Sequence, residues 1–350
     1  MLTKQQVEEV RDHLEKAQNP VFFFDNDPDG LCSFLLLQRY IQRGKGIAIR
    51  SFPEMKEEYF KKVEELNADY IFILDKPIVS KEFFDEAKKF NLPIVWIDHH
   101  KIKDLYVPEF VNYYNPVMNK TKESEPVTYL CQKIANRKDD LWIAVIGCIS
   151  DRYIPDFYEE FEERYPDLAI KSKEAFELFY KSQIGRIARM FCFALKDKTS
   201  NVTKMLKFLS LVKNPYEVLE ENSKNKEMHI RFKQISKKSE KFIEKAKNLN
   251  TAEKILFFQY AGELSISADL ANELSYLFPD KIIVVIYTTG IKANISIRGE
   301  KIKNIALKTI QGIEGATGGG HENAVGAQVR INELEKFKKM FKELVSTNEA

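Results

Sequence analysis

Short apolar runs that end on aspartate recur along the first hundred residues, at Val21 to Asp25, Tyr70 to Asp75 and Pro93 to Asp98, with a further strand at Ile47 to Phe52. Between them lie stretches of helical period, Leu31 to Gln42, Lys56 to Asn67 and Lys81 to Phe90. An amphipathic helix opens the chain: Thr3 and Gln6 stand at capping-box spacing, and Val7, Val10 and Leu14 share a face. Strands alternating with helices predict a parallel sheet covered on both sides. The strand signal then stops, and Tyr153 to about Asn250 reads as helix. After Thr251 a second alternation begins, with strand Lys254 to Gln259, helix Ile266 to Phe278 and strands Ile282 to Tyr287 and Ile291 to Arg298. A glycine-rich turn, strand Ala324 to Val329 and a terminal helix from about Asn332 to Leu344 complete it. The predicted fold class is therefore α/β: an N-terminal parallel-sheet domain at 1–152, a helical connector at 153–250, and a smaller C-terminal α/β domain with a mixed sheet at 251–350. An active-site cleft is expected between the two domains.

Composition agrees with two cores. The chain has 350 residues, 44% of them hydrophobic, and single cores stop growing near roughly 250 to 300 residues. Lys and Arg number 54 against 52 Asp and Glu, a formal net charge of +2, so any pull on nucleic acid must be local rather than global. The apolar runs fall far short of the ~18 residues a membrane span requires, and a soluble, cytoplasmic protein without membrane contact is predicted. Cys32, Cys131, Cys148 and Cys192 lack disulfide or zinc-finger spacing and read as small buried hydrophobes. One local charge excess stands out: Lys224 to Lys247 holds nine Lys or Arg against three Glu. It suits either a phosphate-tracking helix or an exposed helix whose Phe232, Ile235, Phe242 and Ile243 pack on a neighbour, and the second is the commoner fate of charge runs.

Chemistry concentrates at the strand ends. In open α/β sheets ligands bind outside the carboxyl ends of the strands, and a carboxylate at a buried strand end is costly unless something positive meets it. The first strand runs into Asp25-Asn26-Asp27-Pro28-Asp29-Gly30. Its proline and glycine predict a turn on which three carboxylates fan around a cation. An EF-hand loop is excluded, because Leu36 stands where the twelfth-position glutamate is required. Asp98-His99-His100 ends another strand, Asp75 a third, and Asp151 follows the helical run Leu141 to Ser150. Oxygen and nitrogen donors in this number suit two divalent ions acting on a phosphoryl group. The oxygen-rich set favours manganese or magnesium over zinc. The glycine run Gly318-Gly319-Gly320 before His321 lets backbone N–H groups approach a phosphate or base closely.

Taken in order, these motifs resemble the DHH phosphoesterases with their DHH-associated C-terminal domain, in the RecJ-like or oligonucleotide-exonuclease branch of archaeal type. The resemblance implies that Asp25, Asp27 and Asp75 hold one manganese, and that Asp29, His99 and Asp151 hold a second with Asp75 bridging. His100 would face the scissile phosphate as hydrogen-bond donor or acid, a metal-bridging hydroxide would attack, and Asp98 would orient a ligating histidine. Arg298, Gly318, Gly319, Gly320 and His321 would grip the nucleotide beside the cut. Two departures stand out: Asp25 occupies a place where many relatives carry histidine, and Lys76-Pro77 follows Asp75, with Lys76 directed at substrate phosphate or into solvent.

The activity implied is a manganese-dependent single-strand exonuclease acting on DNA or RNA, with roles in DNA repair or replication and a helicase or the GINS replication complex as partner. A phosphodiesterase for linear or cyclic dinucleotides is the second reading, and a non-catalytic replisome scaffold the third. Family II pyrophosphatases rank last, since their first motif is spaced differently and they lack the glycine-histidine signature.

Overall fold

In the computed structural model, which describes residues 1–51, 53–120, 124–249 and 252–347, the first alternation becomes a five-stranded parallel sheet. The elements here run α1 (Lys4–Lys16), β1 (Pro20–Asp25), α2 (Pro28–Ile41), β2 (Lys45–Ile49), β3 (Glu54–Met55), α3 (Phe60–Glu65), β4 (Tyr70–Leu74), β5 (Ile78–Val79), α4 (Lys81–Lys89), β6 (Ile94–Ile97), β7 (Val111–Tyr114), α5 (Val127–Ala135) and α6 (Leu141–Ser150), with β3 and β5 paired in a separate two-stranded sheet. The expected strand end at Phe52 lies outside the described residues, and the helix expected over Lys56 to Asn67 is a single turn of 3-10 helix, Glu57–Tyr59, followed by the short α3.

Strand order is β2-β1-β4-β6-β7, with every pair parallel. Strand side chains alternate between faces, and here they divide between two cores. Phe22 and Phe24 of β1 join the core of α2, α5 and α6, while Val21 and Phe23 join that of α3 and α4. Both faces are thus buried, which is why these strands read as unbroken apolar runs. The fifth strand, β7, gives no such signal because its VNYY sequence is short and half polar. The order reverses between β1 and β4, the switch point at which open sheets bind ligands.

Helices α7 (Tyr158–Arg164), α8 (Ala175–Lys181), α9 (Gln183–Leu195), α10 (Thr199–Leu209) and α11 (Pro215–Leu219) follow, then the long α12 (Lys226–Asn248). The chain divides into two compact units, Met1–Lys233 and Gln234–Ala350. The helices expected as a connector thus fall largely inside the first unit. Phe161, Ile187, Phe191 and Leu209 share one core with α2 and α6. A buried network explains the attachment: Arg39 of α2 pairs with the fully buried Asp140 at 2.7 Å and donates to the carbonyls of Leu209 and Val212.

The second unit carries β8 (Ile255–Ala261), α13 (Ser267–Leu277), β9 (Ile282–Thr289), β10 (Lys292–Arg298), α14 (Lys303–Gln311), β11 (Thr317–His321), β12 (Ala324–Arg330) and α15 (Leu334–Thr347). Its sheet order is β11-β12-β10-β9-β8, mixed because β8 and β9 alone are parallel. The glycine-rich turn expected before Ala324 is instead the edge strand β11. Glycine weakens a strand interior, so local sequence argued against one, but pairing with β12 imposes it.

Cys32, Cys131 and Cys148 are buried and Cys192 is half-buried, all as free thiols. Among the described residues no helix is long and apolar enough to cross a membrane.

Candidate active site

Three neighbouring strands deliver the carboxylates. Asp25 closes β1, and Asp75 and Asp98 are the residues after β4 and β6, which pair side by side in the sheet. Asp75 takes a left-handed backbone, φ 57°, uncommon for a residue with a Cβ and frequent at functional turns. It turns the chain sharply at the switch point.

Residues 25–30 are not the free turn expected. Pro28 is pre-set for the first helical position, so α2 begins there. Asp27 is its N-cap, accepting from the Gly30 N–H at 2.9 Å, and Asp29 lies in its first turn. Asp29 is held a second time, by the Val127 and Thr128 N–H groups at the start of α5, at 2.9 and 2.8 Å. Gly30 permits this junction: a Cβ there would stand 2.5 Å from the Asp25 carbonyl oxygen.

Donor atoms of Asp29, His99 and Asp151 lie within 4.8 Å of one another, as do those of Asp75, His99 and His100. His99 Nε2 is 3.4 Å from Asp75 Oδ1, and its Nδ1 is 3.8 Å from Asp151 Oδ2. Asp75 Oδ1 is buried without a hydrogen bond of good geometry among the described residues. Such an atom is expensive to leave unpaired, and its surroundings are donors to a cation. Asp151 is placed at the end of α6, a helix whose apolar residues are buried on all sides.

Crowding raises proton affinity here. Burial, then Asp25 and Asp29, push the Asp27 carboxyl up to about 8. Burial and Asp151 push Asp29 to about 6 against the opposing pull of His99 and Thr128. Asp75 is raised well above the carboxylate range by burial and by Asp29 and Asp27. For His99 burial acts downward, but Asp75, Asp151 and Asp29 outweigh it and hold the imidazole well above its usual value. Like charges this close do not all ionise without a compensating cation. The hard, oxygen-rich donor set and the orphaned Asp75 Oδ1 therefore fit a divalent metal centre.

Asp98 departs from expectation. It orients His100, not the proposed ligand His99, accepting from His100 Nδ1 at 2.7 Å and from the His100 N–H at 3.2 Å. Tyr113 and Asn115 donate to Oδ2, the same oxygen that takes the His100 main-chain N–H. With Nδ1 carrying a proton toward Asp98, Nε2 is the nitrogen able to exchange a proton with a ligand. Sequence reasoning missed these supports, together with Ser124, which donates to the His99 carbonyl at 2.9 Å, and Thr128. Lys76 does not point into solvent: it is fully buried and pairs with Asp25 Oδ1 at 2.8 Å and the Ser51 carbonyl at 2.7 Å.

The second unit gathers the other predicted residues. Cross-strand register aligns Arg298 with Ala324 and Ala324 with His321, so the three occupy one face of the sheet. Gly319 pairs with Gly326 on that same face, and a Cβ on either would meet nothing within 4 Å. The result is a side-chain-free floor beside Arg298 and His321. Arg298 is braced by Asn272 of α13, with Nε donating at 2.6 Å.

The comparisons agree with this division. Residues 21–149 match the DHH family N-terminal domain, and residues 254–347 match the DHHA1 domain. RecJ from Thermus thermophilus in complex with Mn2+ shares the fold at TM-score 0.72 and 15% identity, over 98% of this chain and 54% of that one. In complex with Mg2+ it gives 0.61 at 14% identity, over 98% and 52%. An exonuclease RecJ bound to manganese gives 0.67 at 15% identity, over 98% and 94%. The DHH domain of a protein described as belonging to a family of ribosomal proteins gives 0.71 at 16% identity, over 98% and 90%. This chain therefore spans about half the length of the T. thermophilus protein. No curated protein matches in sequence. A parallel sheet with carboxylates and histidines at its strand ends, followed by a mixed-sheet unit, is the fold this chain shares with the RecJ structures. Its two matched segments thus belong to the DHH family and to the DHHA1 domain family respectively.

Proposed function

We propose that this protein is a divalent-metal phosphodiesterase that removes nucleotides from the end of single-stranded DNA or RNA. The observation that supports it most is the meeting at His99 of two donor groups, Asp29 with Asp151 and Asp75 with His100, beside the buried Asp75 Oδ1, which no well-formed hydrogen bond satisfies among the described residues. Asp29, His99 and Asp151 would hold one ion and Asp25, Asp27 and Asp75 the other, with Asp75 shared. Manganese suits this donor set, and magnesium is the alternative. Such ions, when bound, lower the pKa of water and offset charge on a phosphoryl group.

The protein's own residues would do the rest. His100, fixed through Nδ1 by Asp98, presents Nε2 to donate a hydrogen bond or proton toward the scissile phosphate. Arg298 and His321 would hold the terminal nucleotide, with Gly319 and Gly326 leaving room for a base or sugar. A strand would have further purchase on the exposed lysines of α12. Archaeal origin, a place in DNA replication or repair, a cytoplasmic location and a helicase or GINS partner belong to the same reading.

The test is incubation of end-labelled DNA and RNA of several lengths with manganese. Stepwise release of mononucleotides is expected, reduced by roughly 10²-fold or more in His100→Ala and Asp27→Ala. Undiminished cleavage by both variants would refute the assignment, and turnover confined to dinucleotides would favour the small-nucleotide reading.

A further inference from the structure

The metal positions just proposed differ in one respect that the family motifs do not describe. Asp25 already has a cation. Lys76 Nζ stands 2.8 Å from its Oδ1, which also accepts from the Asn26 N–H at 3.0 Å. This lysine cannot swing aside as a surface lysine would. Its side chain is fully buried, its Nζ donates to the Ser51 carbonyl, and its own carbonyl accepts from Trp96 Nε1 at 2.8 Å. The left-handed Asp75 before it and Pro77 after it fix the backbone on both sides. Parting a buried ammonium from its carboxylate is costly. Asp29, by contrast, takes its bonds from the main-chain N–H groups of Val127 and Thr128, one to each oxygen, which carry no net charge.

We infer that Lys76 is a resident counter-ion that makes the two metal positions unequal: the position at Asp29, His99 and Asp151 binds a divalent ion tightly, and the position at Asp25 and Asp27 binds one weakly. A divalent ion arriving at Asp25 meets a fixed positive charge on the same carboxylate, in surroundings with little water to screen it. The inference rests on the metal-site reading above and deepens it. The opposite role, in which Lys76 merely aims Asp25 at a metal, predicts the opposite response to its removal.

Calorimetric titration of the chelator-stripped full chain with Mn2+, with free Mn2+ followed in parallel by electron paramagnetic resonance, separates them without substrate. The wild type should take up one ion tightly and a second at least about tenfold more weakly. Lys76→Met, and Lys76→Gln, which keeps a donor for Ser51, should tighten the weak ion by about tenfold or more. The tight ion serves as the check that the variant site is folded. Two ions of equal affinity in the wild type would overturn the inference without any variant, and so would weakening of the second ion in either variant. Absence of both ions from the wild type would overturn the metal reading beneath it as well.

Discussion

His100 Nδ1 and Asp98 Oδ1 lie 2.7 Å apart at the end of β6, with the Asp98 side chain wholly buried. The pair fixes both the tautomer and the rotation of the imidazole. An asparagine at 98 keeps the shape but can offer its amide N–H to Nδ1, which moves the ring proton to Nε2. Asp98→Asn should therefore lower kcat by about 10- to 100-fold while KM and metal binding change little. Steady-state kinetics on a short oligonucleotide, beside a metal titration, checks this. Loss of metal affinity with kcat intact would show that Asp98 serves His99 instead.

Metal removal should destabilise the fold. Asp25, Asp27, Asp29, Asp75 and Asp151 converge on one region, and without cations they repel or take up protons. Melting in excess chelator should occur below the melting temperature with Mn2+ present, since a ligand that binds only the native state stabilises it. Identical melting temperatures would count against the site.

The metal-free protein should also lose stability as pH rises. Asp27 at about 8 and Asp29 at about 6 lie above the value near 4 of an unfolded aspartate. The native state thus binds more protons than the unfolded state between these values. Their stabilising contribution is full below about pH 4 and is lost as pH climbs through about 6 and then about 8. Melting without metal should fall across that window and flatten in Asp27→Asn. A wild-type melting temperature that rises toward pH 8 would contradict the assignment.

Gly30→Ala places a methyl 2.5 Å from the Asp25 carbonyl oxygen, a backbone atom that cannot move alone. Forcing β1 and α2 apart should cost about 1–3 kcal/mol and displace Asp27 and Asp29 relative to Asp25. Urea unfolding measures the first effect and Mn2+ affinity the second. Unchanged values of both would mean the junction is looser than its geometry indicates.

Exposed Lys237, Lys238, Lys241 and Lys245 line α12, whose apolar residues are occupied: Ile235 and Ile243 are buried, and Phe242 packs on Tyr260 with ring centroids 4.7 Å apart. Replacing the four with glutamine should weaken binding of long strands and flatten its salt dependence, sparing dinucleotides. Equal loss on both substrates would deny the helix a role in strand binding.

Much of this was legible in the chain because burial on both faces writes a strand as an apolar run, and Asp25, Asp75 and Asp98 mark where each run meets the switch point. What the sequence hid depends on long-range contacts. Lys76 looks exposed until Ser51 and Asp25, both distant in sequence, close over it. Gly318 to Gly320 look like a turn until β12 supplies a partner strand. The Val127 and Thr128 N–H groups that hold Asp29 belong to a helix start nearly a hundred residues away, and His100 rather than His99 receives Asp98 because of how the chain turns after β6.

The central claim is most directly tested by anomalous diffraction at the manganese edge from crystals soaked in Mn2+. A peak bonded to Asp29, His99 and Asp151, with Asp75 alongside, is predicted. Side chains of these residues turned apart, with no anomalous density among them, would contradict it.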